Sequence, residues 1–538
     1  MVQGATVYQR RIVIGAALCA TAFALICARL ADVALFRAGE GTPAAERIVL
    51  SRADMVDRNG ELLARDLPVS DLYAKPEVLA DRDEAAGELA AATGVDAEHL
   101  RSAFNTAAHS RHPYALVALR ISPDVRDKVM HLGLPGLEFQ PSTKRYYPDG
   151  RAAAQLLGVT DPDGKGVSGL EQGLDGRLRA QYGGAPVQLS IDMRVQYILA
   201  SETEASRQMF HAQKAGGIVM DVNTGEILGL VSLPNFDPNY RKLVGDDSDH
   251  NIMAADRYEL GSVFKVLSFT LAMEDHTTRP DEVFAIGNGY KIGKFTIHEA
   301  EHMPATYTAR DILAHSSNIG TAQIALRSGG VRQRQFLQRM GLLTALNSEL
   351  PERARPLFPA PEHWGTIETA TIGFGHGISV APLAYVAAAA TVVNGGRKIV
   401  PTFLKHPDDA RGEQLIKPET SVQMRELLRY VVTNGTGRKA DIAGYDVGGK
   451  TGSAEKPRLG GHGYQSHVLV TSFFAAFPID NPRYIVFVLL DEPHGTKETG
   501  GIALAGQTAA PLAGRVISRI APLLGVPQKP LTVTRENT

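Results

Sequence analysis

Three short motifs follow one another in fixed order along the chain: Ser262-Val263-Phe264-Lys265, Ser316-Ser317-Asn318 and Lys450-Thr451-Gly452. Together they offer a nucleophilic hydroxyl, an amine able to take its proton, a second hydroxyl with a carboxamide, and a lysine-bearing segment that can hold a carboxylate. That is the chemistry of acyl transfer through a serine ester. Each motif alone is weak, since a Ser-x-x-Lys is expected roughly once or twice by chance in a chain this long. A second one, Ser453-Ala454-Glu455-Lys456, overlaps the third motif.

Context chooses between the two serines. Gly261 precedes Ser262, and Val263 to Met273 is a mainly apolar run long enough for a buried helix. A serine in the first turn of that helix meets Lys265 on the same face, because residues three apart are neighbours, and its hydroxyl gains from the positive helix end. Ser453 instead follows the glycine-broken Gly448-Gly449-Lys450-Thr451-Gly452, with no apolar helix after it. Ser262 is therefore the expected nucleophile. Lys265, between Phe264 and Val266, is expected to be desolvated, so that its lowered pKa lets it act as the base. Ser316 and Asn318 are placed to relay a proton to the leaving amine and to hold the substrate amide. Lys450, Thr451 and Ser453 are placed to hold a terminal carboxylate through charge and hydroxyl hydrogen bonds, with Gly452 a substrate-binding position between them. The backbone N–H groups of Ser262 and Ser453 are the expected oxyanion hole.

The elements that must position these groups can be read outward from them. Gly217–Val222 and Glu226–Val231 flank Asn223-Thr224-Gly225 as a hairpin, and His467–Phe477 and Tyr484–Leu490 flank Pro478–Arg483 as a second one. With the Lys450 strand they make five antiparallel candidates, and the stretch between reads as mainly helical. The economical architecture is α+β: one five-stranded antiparallel sheet with helices on both faces. Upstream, Asp83–Thr93 and Asp124–Leu132 have helical spacing and Tyr114–Ile121 alternates like a strand. No catalytic constellation is visible there.

With 538 residues, two or more domains are expected, and a formal net charge of −2 gives no reason to expect a nucleic-acid partner. The only cysteines, Cys19 and Cys27, lie in a single apolar segment, so the rest of the chain offers neither a disulfide nor a thiolate metal site. That segment runs uncharged from Ile12 to Ala28 after Arg10 and Arg11. It is long for a signal-peptide core and lacks a good cleavage site, which favours an uncleaved membrane anchor over residues 12–36 with a cytoplasmic N-terminus. The expected organisation is a cytoplasmic tail at 1–11, the anchor at 12–36, a non-catalytic pedestal at 37–186, the acyl-transfer domain at 187–525 and a flexible tail at 526–538.

Two rival motifs lack their context. His298-Glu299-Ala300-Glu301-His302 fits the His-Glu-x-x-His pattern of zinc proteases, but that chemistry needs both imidazoles on one helical face. Lys291–Ile297 reads as strand, and Pro304 follows too closely for a helix, so a polar loop near the site is expected. Gly373-Phe374-Gly375-His376-Gly377 lacks the strand and acidic residue of a dinucleotide site and reads as a tight turn beside the active site.

The ordered motifs resemble those of the penicillin-binding proteins, specifically the class B, single-span peptidoglycan transpeptidases. The resemblance extends to Val56–Ala64, Gly166–Glu171, Gly373–Gly377 and Asn394-Gly395-Gly396. It departs where Leu260 stands in place of a frequent proline and Ser453 in place of a commoner threonine; neither removes a functional group. The resemblance implies a serine D,D-transpeptidase that needs no cofactor and acts on stem peptides ending in D-Ala-D-Ala. It also implies covalent inhibition by β-lactams, an inner-membrane location with a periplasmic catalytic domain, and an integral-membrane glycan polymerase with other division proteins as partners. The segments Leu134–Leu137, Lys144–Gly150 and Asp161–Gly166 look more like those of septal than of elongation enzymes. A Glu-x-x-Leu-Asn deacylation pattern is absent between Asn318 and Lys450, which argues against a β-lactamase. The region before Val187 is too short for a glycosyltransferase domain beside a pedestal. An elongation-specific transpeptidase, a D,D-carboxypeptidase and a non-enzymatic β-lactam sensor or scaffold remain as alternatives.

Overall fold

The computed structural model describes residues 52–530, apart from 241–249, 407–408 and 459–462, together with six isolated residues between 17 and 26. The expected anchor at 12–36 lies, but for those six, outside the described residues, as do the tail at 1–11 and residues 531–538. Among the described residues no helix is long and apolar enough to cross a membrane.

Two compact units emerge, and the chain passes between them within the strands Leu62–Ala74 and Leu137–Tyr146. The smaller unit comprises Asp66–Lys144. Its helices Arg82–Thr93, Ala97–Ala108 and Pro123–His131 begin at Asp81, Asp96 and Ser122, whose side chains accept from otherwise unpaired first-turn N–H groups. Strand Ala115–Ile121 pairs antiparallel with the preceding strand, and Leu72, Leu89, Leu100, Phe104, Val117 and Val129 form the core.

The larger unit is built on a five-stranded antiparallel sheet. Its strands are β1 (Lys214–Asp221), β2 (Ile227–Leu233), β3 (Gly448–Pro457), β4 (Tyr464–Phe477) and β5 (Tyr484–Asp491), in the spatial order β3-β4-β5-β1-β2. β5 is buried along its whole length, which is why its sequence is continuously apolar instead of alternating. Ile485, Phe487 and Leu489 enter one core, while Val486, Val488 and Leu490 enter the other. Helices α1 (Met193–Met209) and α8 (Ala509–Leu523) cover the second face. The first packs against α2 (Lys265–Glu274), α6 (Pro382–Val393) and α7 (Pro418–Asn434), with α3 (Ala309–His315), α4 (Asn318–Ser328) and α5 (Thr366–Gly373) completing that layer.

The stretch between the hairpins is less uniformly helical than expected. It also contains two small antiparallel pairs, Val283–Ala285 with Thr306–Thr308 and Tyr290–Ile292 with Phe295–Ile297. Segments 52–65 and 145–186 belong to the larger unit by contact, and a buried ion cluster joins the two segments to each other. There Glu171 bridges Arg52 and Arg145 at 2.7 Å each, with all three side chains at most 3% exposed.

Candidate active site

Ser262 lies in a 3-10 turn, Gly261–Phe264, that runs directly into α2. The expectation of a first α-helical turn is thus corrected by one detail: the turn is the tighter 3-10 coil, with the Lys265 N–H bonded to Ser262 O three residues back. Gly261 has φ +57°, and a Cβ there would lie 2.6 Å from the Ser453 carbonyl oxygen. Glycine at this point is what lets the nucleophile turn press against β3. Across the turn, Gly375 would meet the Gly261 carbonyl at 2.1 Å if it bore a Cβ, so the Gly373–Gly377 segment is a turn beside the nucleophile.

Lys265 is fully buried, and its Nζ donates to Ser316 O (2.5 Å), Asn318 Oδ1 (2.9 Å) and Ser316 Oγ (3.2 Å). Lys450, on edge strand β3, is equally buried and donates to Ser316 Oγ (3.0 Å), Thr451 O (3.1 Å) and Thr451 Oγ1 (3.3 Å). The Ser316 hydroxyl therefore sits between two amines. Burial pushes the Lys450 pKa down to about 7. Burial, and then the neighbouring Lys450 charge, push Lys265 well below an ordinary lysine, while Glu299 pulls it partly back.

Ser316 is held in the left-handed region at φ +65°, at the C-terminus of α3. An uncommon conformation for a non-glycine residue persists only where its surroundings over-determine it. Here the two lysines hold the side chain, and the next residue, Ser317, caps α4 through Gly320 N (2.9 Å). Thr451 Oγ1 is hydrogen-bonded to Thr436 Oγ1 at 2.6 Å, and Ser453 Oγ accepts from Ala505 N at 3.0 Å. Gly452 packs under the nucleophile turn, where a Cβ would lie 2.5 Å from Leu260 O. The fold thus gathers Ser262, Lys265, Ser316, Asn318, Lys450, Thr451, Gly452 and Ser453 from all three motifs.

Three further residues support this arrangement without any signal in the motifs. Tyr385, buried on α6, donates to Val263 O at 2.8 Å and packs its ring against Phe264 and Phe474. Glu259, three residues before Ser262, accepts from Gly377 N (3.1 Å) and Tyr464 OH (3.0 Å), and burial pushes its carboxyl up to about 6. Glu299 reaches the start of α4: Oε1 accepts from Ser317 Oγ (2.5 Å) and Ile319 N (3.1 Å), and Oε2 from Asn318 N (2.8 Å). The His298–His302 segment that carries it is not helical. Beside Asn318 opens a recess of about 290 Å³, lined largely by apolar groups that include Phe295, Ile297 and Phe374.

Comparison with known proteins follows the same outline. Residues 215–514 match the penicillin binding protein transpeptidase domain, and residues 47–204 the penicillin-binding protein dimerisation domain. The chain is 40% identical over 518 residues to a Caulobacter vibrioides protein named "Probable peptidoglycan D,D-transpeptidase FtsI", covering 94% of this chain and 87% of that one. It is 27% identical over 523 residues to the Escherichia coli peptidoglycan D,D-transpeptidase FtsI, covering 91% and 87%. Among solved structures, penicillin binding protein 3 from Mycobacterium tuberculosis complexed with aztreonam shares the fold. It has a TM-score of 0.69 at 24% identity, covering 90% of this chain and 98% of that one.

Proposed function

Because this chain belongs to the class B penicillin-binding proteins, which join a dimerisation domain to a transpeptidase domain, we propose that it is a serine D,D-transpeptidase cross-linking peptidoglycan stem peptides at the division septum. The observation that carries this reading is the fully buried Lys265 amine, three residues after Ser262 and hydrogen-bonded to Ser316 and Asn318. The likeness to proteins named FtsI supports the septal role.

In the proposed mechanism, Ser262 Oγ attacks the carbonyl carbon of the penultimate D-Ala while its proton passes to neutral Lys265. The resulting oxyanion is held by the Ser262 and Ser453 backbone N–H groups. Collapse breaks the peptide bond, and the departing D-Ala amine takes the proton from Lys265 by way of the Ser316 hydroxyl, which already contacts that lysine. Asn318 holds the donor amide, and Lys450, Thr451 and Ser453 hold the terminal carboxylate. Attack on the ester by an amine of a second stem peptide, with the proton path reversed, forms the cross-link and restores Ser262. A β-lactam carries both the carbonyl and the carboxylate that these groups address, and its acyl group stays attached.

The same reading puts residues 12–36 across the inner membrane, with the N-terminus cytoplasmic and the catalytic unit periplasmic, beside a glycan polymerase and other division proteins. Fluorescent-penicillin labelling tests the chemistry. Covalent label is expected in wild type and Ser453→Ala and absent from Ser262→Ala; label surviving Ser262→Ala would refute the mechanism.

A further inference from the structure

Glu299 has no part in the chemistry derived above, although it is the one acidic side chain hydrogen-bonded to the Ser316-Ser317-Asn318 turn among the described residues. Its two oxygens take up the hydroxyl of Ser317 and the backbone N–H groups of Asn318 and Ile319, the free donors at the start of α4. Asn318 in turn accepts from Lys265 Nζ at 2.9 Å. One residue thus links the carboxylate to the base. The turn it grips contains Ser316 in its left-handed conformation, which needs external support.

We propose that Glu299 is a positioning residue for acyl transfer: its carboxylate fixes the Ser316-Ser317-Asn318 turn and provides the negative charge against which Lys265 becomes an ammonium as Ser262 loses its proton. The charged groups acting on Lys265 are Lys450, which opposes that ammonium, and Glu299, which favours it. His376, pushed down to about 4 by burial and by Lys265 itself, stays neutral and offsets neither. Among the described residues, Glu299 is then the one charged group that makes the base stronger. A simple helix cap would stabilise α4 and leave the basicity of Lys265 alone. This inference rests on the acyl-transfer reading of the site.

The test is the second-order rate constant for labelling of the full-length protein by a fluorescent penicillin between about pH 5 and 10, with thermal melts on the same samples. Wild type is compared with Glu299→Gln, which removes the charge but keeps a carbonyl acceptor, and with Glu299→Asp, which keeps the charge. Glu299→Gln is expected to stay folded, to lose about tenfold or more in rate, and to show its acid limb about one pH unit lower. Glu299→Asp is expected to return that limb to the wild-type position. A folded Glu299→Gln whose limb stays in place or moves upward overturns the proposal, as does one that fails to fold, since the residue is then structural. Failure of wild type to be labelled would instead overturn the acyl-transfer reading.

Discussion

Replacing Lys450 by methionine keeps most of the length of a fully buried side chain and removes its charge. Both lysine amines reach the Ser316 hydroxyl, at 3.2 Å and 3.0 Å, so the two nitrogens lie within about 6 Å of each other. At an effective dielectric of about 20, unit charges about 6 Å apart repel by about 3 kcal/mol, or about two pK units. Because Lys450 is itself held down to about 7, the repulsion acts in full below that pH and fades above it. A neighbouring ammonium disfavours a second one, so its removal raises the Lys265 pKa. The acid limb of Ser262 acylation in Lys450→Met should therefore move to higher pH, by about one to two units. Its plateau should fall about ten- to a hundredfold, since a charge-assisted hydrogen bond to the substrate carboxylate is worth about 1.5–3 kcal/mol. The two effects separate in one data set, because the limb is a position on the pH axis and the plateau a height. Acylation rates with a fluorescent penicillin from about pH 5 to 10 measure both. A limb that stays put, or that moves down, would refute the idea that the two buried amines share one electrostatic environment with Lys265 as the base. The opposite displacement expected for Glu299→Gln makes the pair of variants a test of sign as well as size.

Three other outcomes are expected. Glu171→Gln removes the counter-charge that buried Arg145 shares with Arg52, which keeps Asp175, and should cost about 3–5 kcal/mol in urea unfolding; a loss under about 1 kcal/mol would show that the cluster is not acting as a buried ion group. Tyr385→Phe removes the donor to Val263 O and should cost about 1–3 kcal/mol while slowing acylation, with stability and labelling both unchanged as the contrary result. The Glu259 carboxyl, raised to about 6, binds its proton more tightly in the folded protein than in the unfolded chain. It therefore contributes about 2 kcal/mol that is fully present below about pH 4.3 and is lost as pH rises through about 6. Unfolding of Glu259→Gln across pH 4 to 7 should lack that decline, and an unchanged profile would place the titration elsewhere.

The parts of the fold that the sequence made legible are those with a dense local signal. β5 and the run after Ser262 are continuous apolar stretches because both faces of each are covered, and the Asn223-Thr224-Gly225 turn marks the β1–β2 hairpin. The nucleophile could be chosen over Ser453 because an apolar helix follows one serine and not the other. The supporting residues were illegible for the converse reason. Tyr385 acts on Val263 from 122 positions away, and Glu259 on Tyr464 from 205. Neither separation has a periodicity that a window of sequence can detect. Glu299 was visible only as part of a His-Glu-x-x-His pattern, whose non-helical backbone turns its carboxylate toward α4. The change in composition near Ala185 likewise gave no sign that segments 52–65 and 145–186 pack with the larger unit, since the bonds that cross, such as Arg58 with Glu226 and Asn239 with Tyr147, join distant sequence.

A neutral primary amine has two hydrogens and one lone pair, disposed tetrahedrally with the carbon it hangs from. For Lys265, Ser316 O and Asn318 Oδ1 accept at 2.5 Å and 2.9 Å, so both hydrogens are already spoken for. The remaining position carries the lone pair of the neutral amine or, in the ammonium, the hydrogen that the Ser316 hydroxyl accepts at 3.2 Å. An oxygen has two lone pairs, so the Ser316 hydroxyl accepts from Lys265 and Lys450 together, at 3.2 Å and 3.0 Å. The third tetrahedral position of the amine is thus the one that changes with protonation, and it faces the hydroxyl through which the proposed proton relay runs.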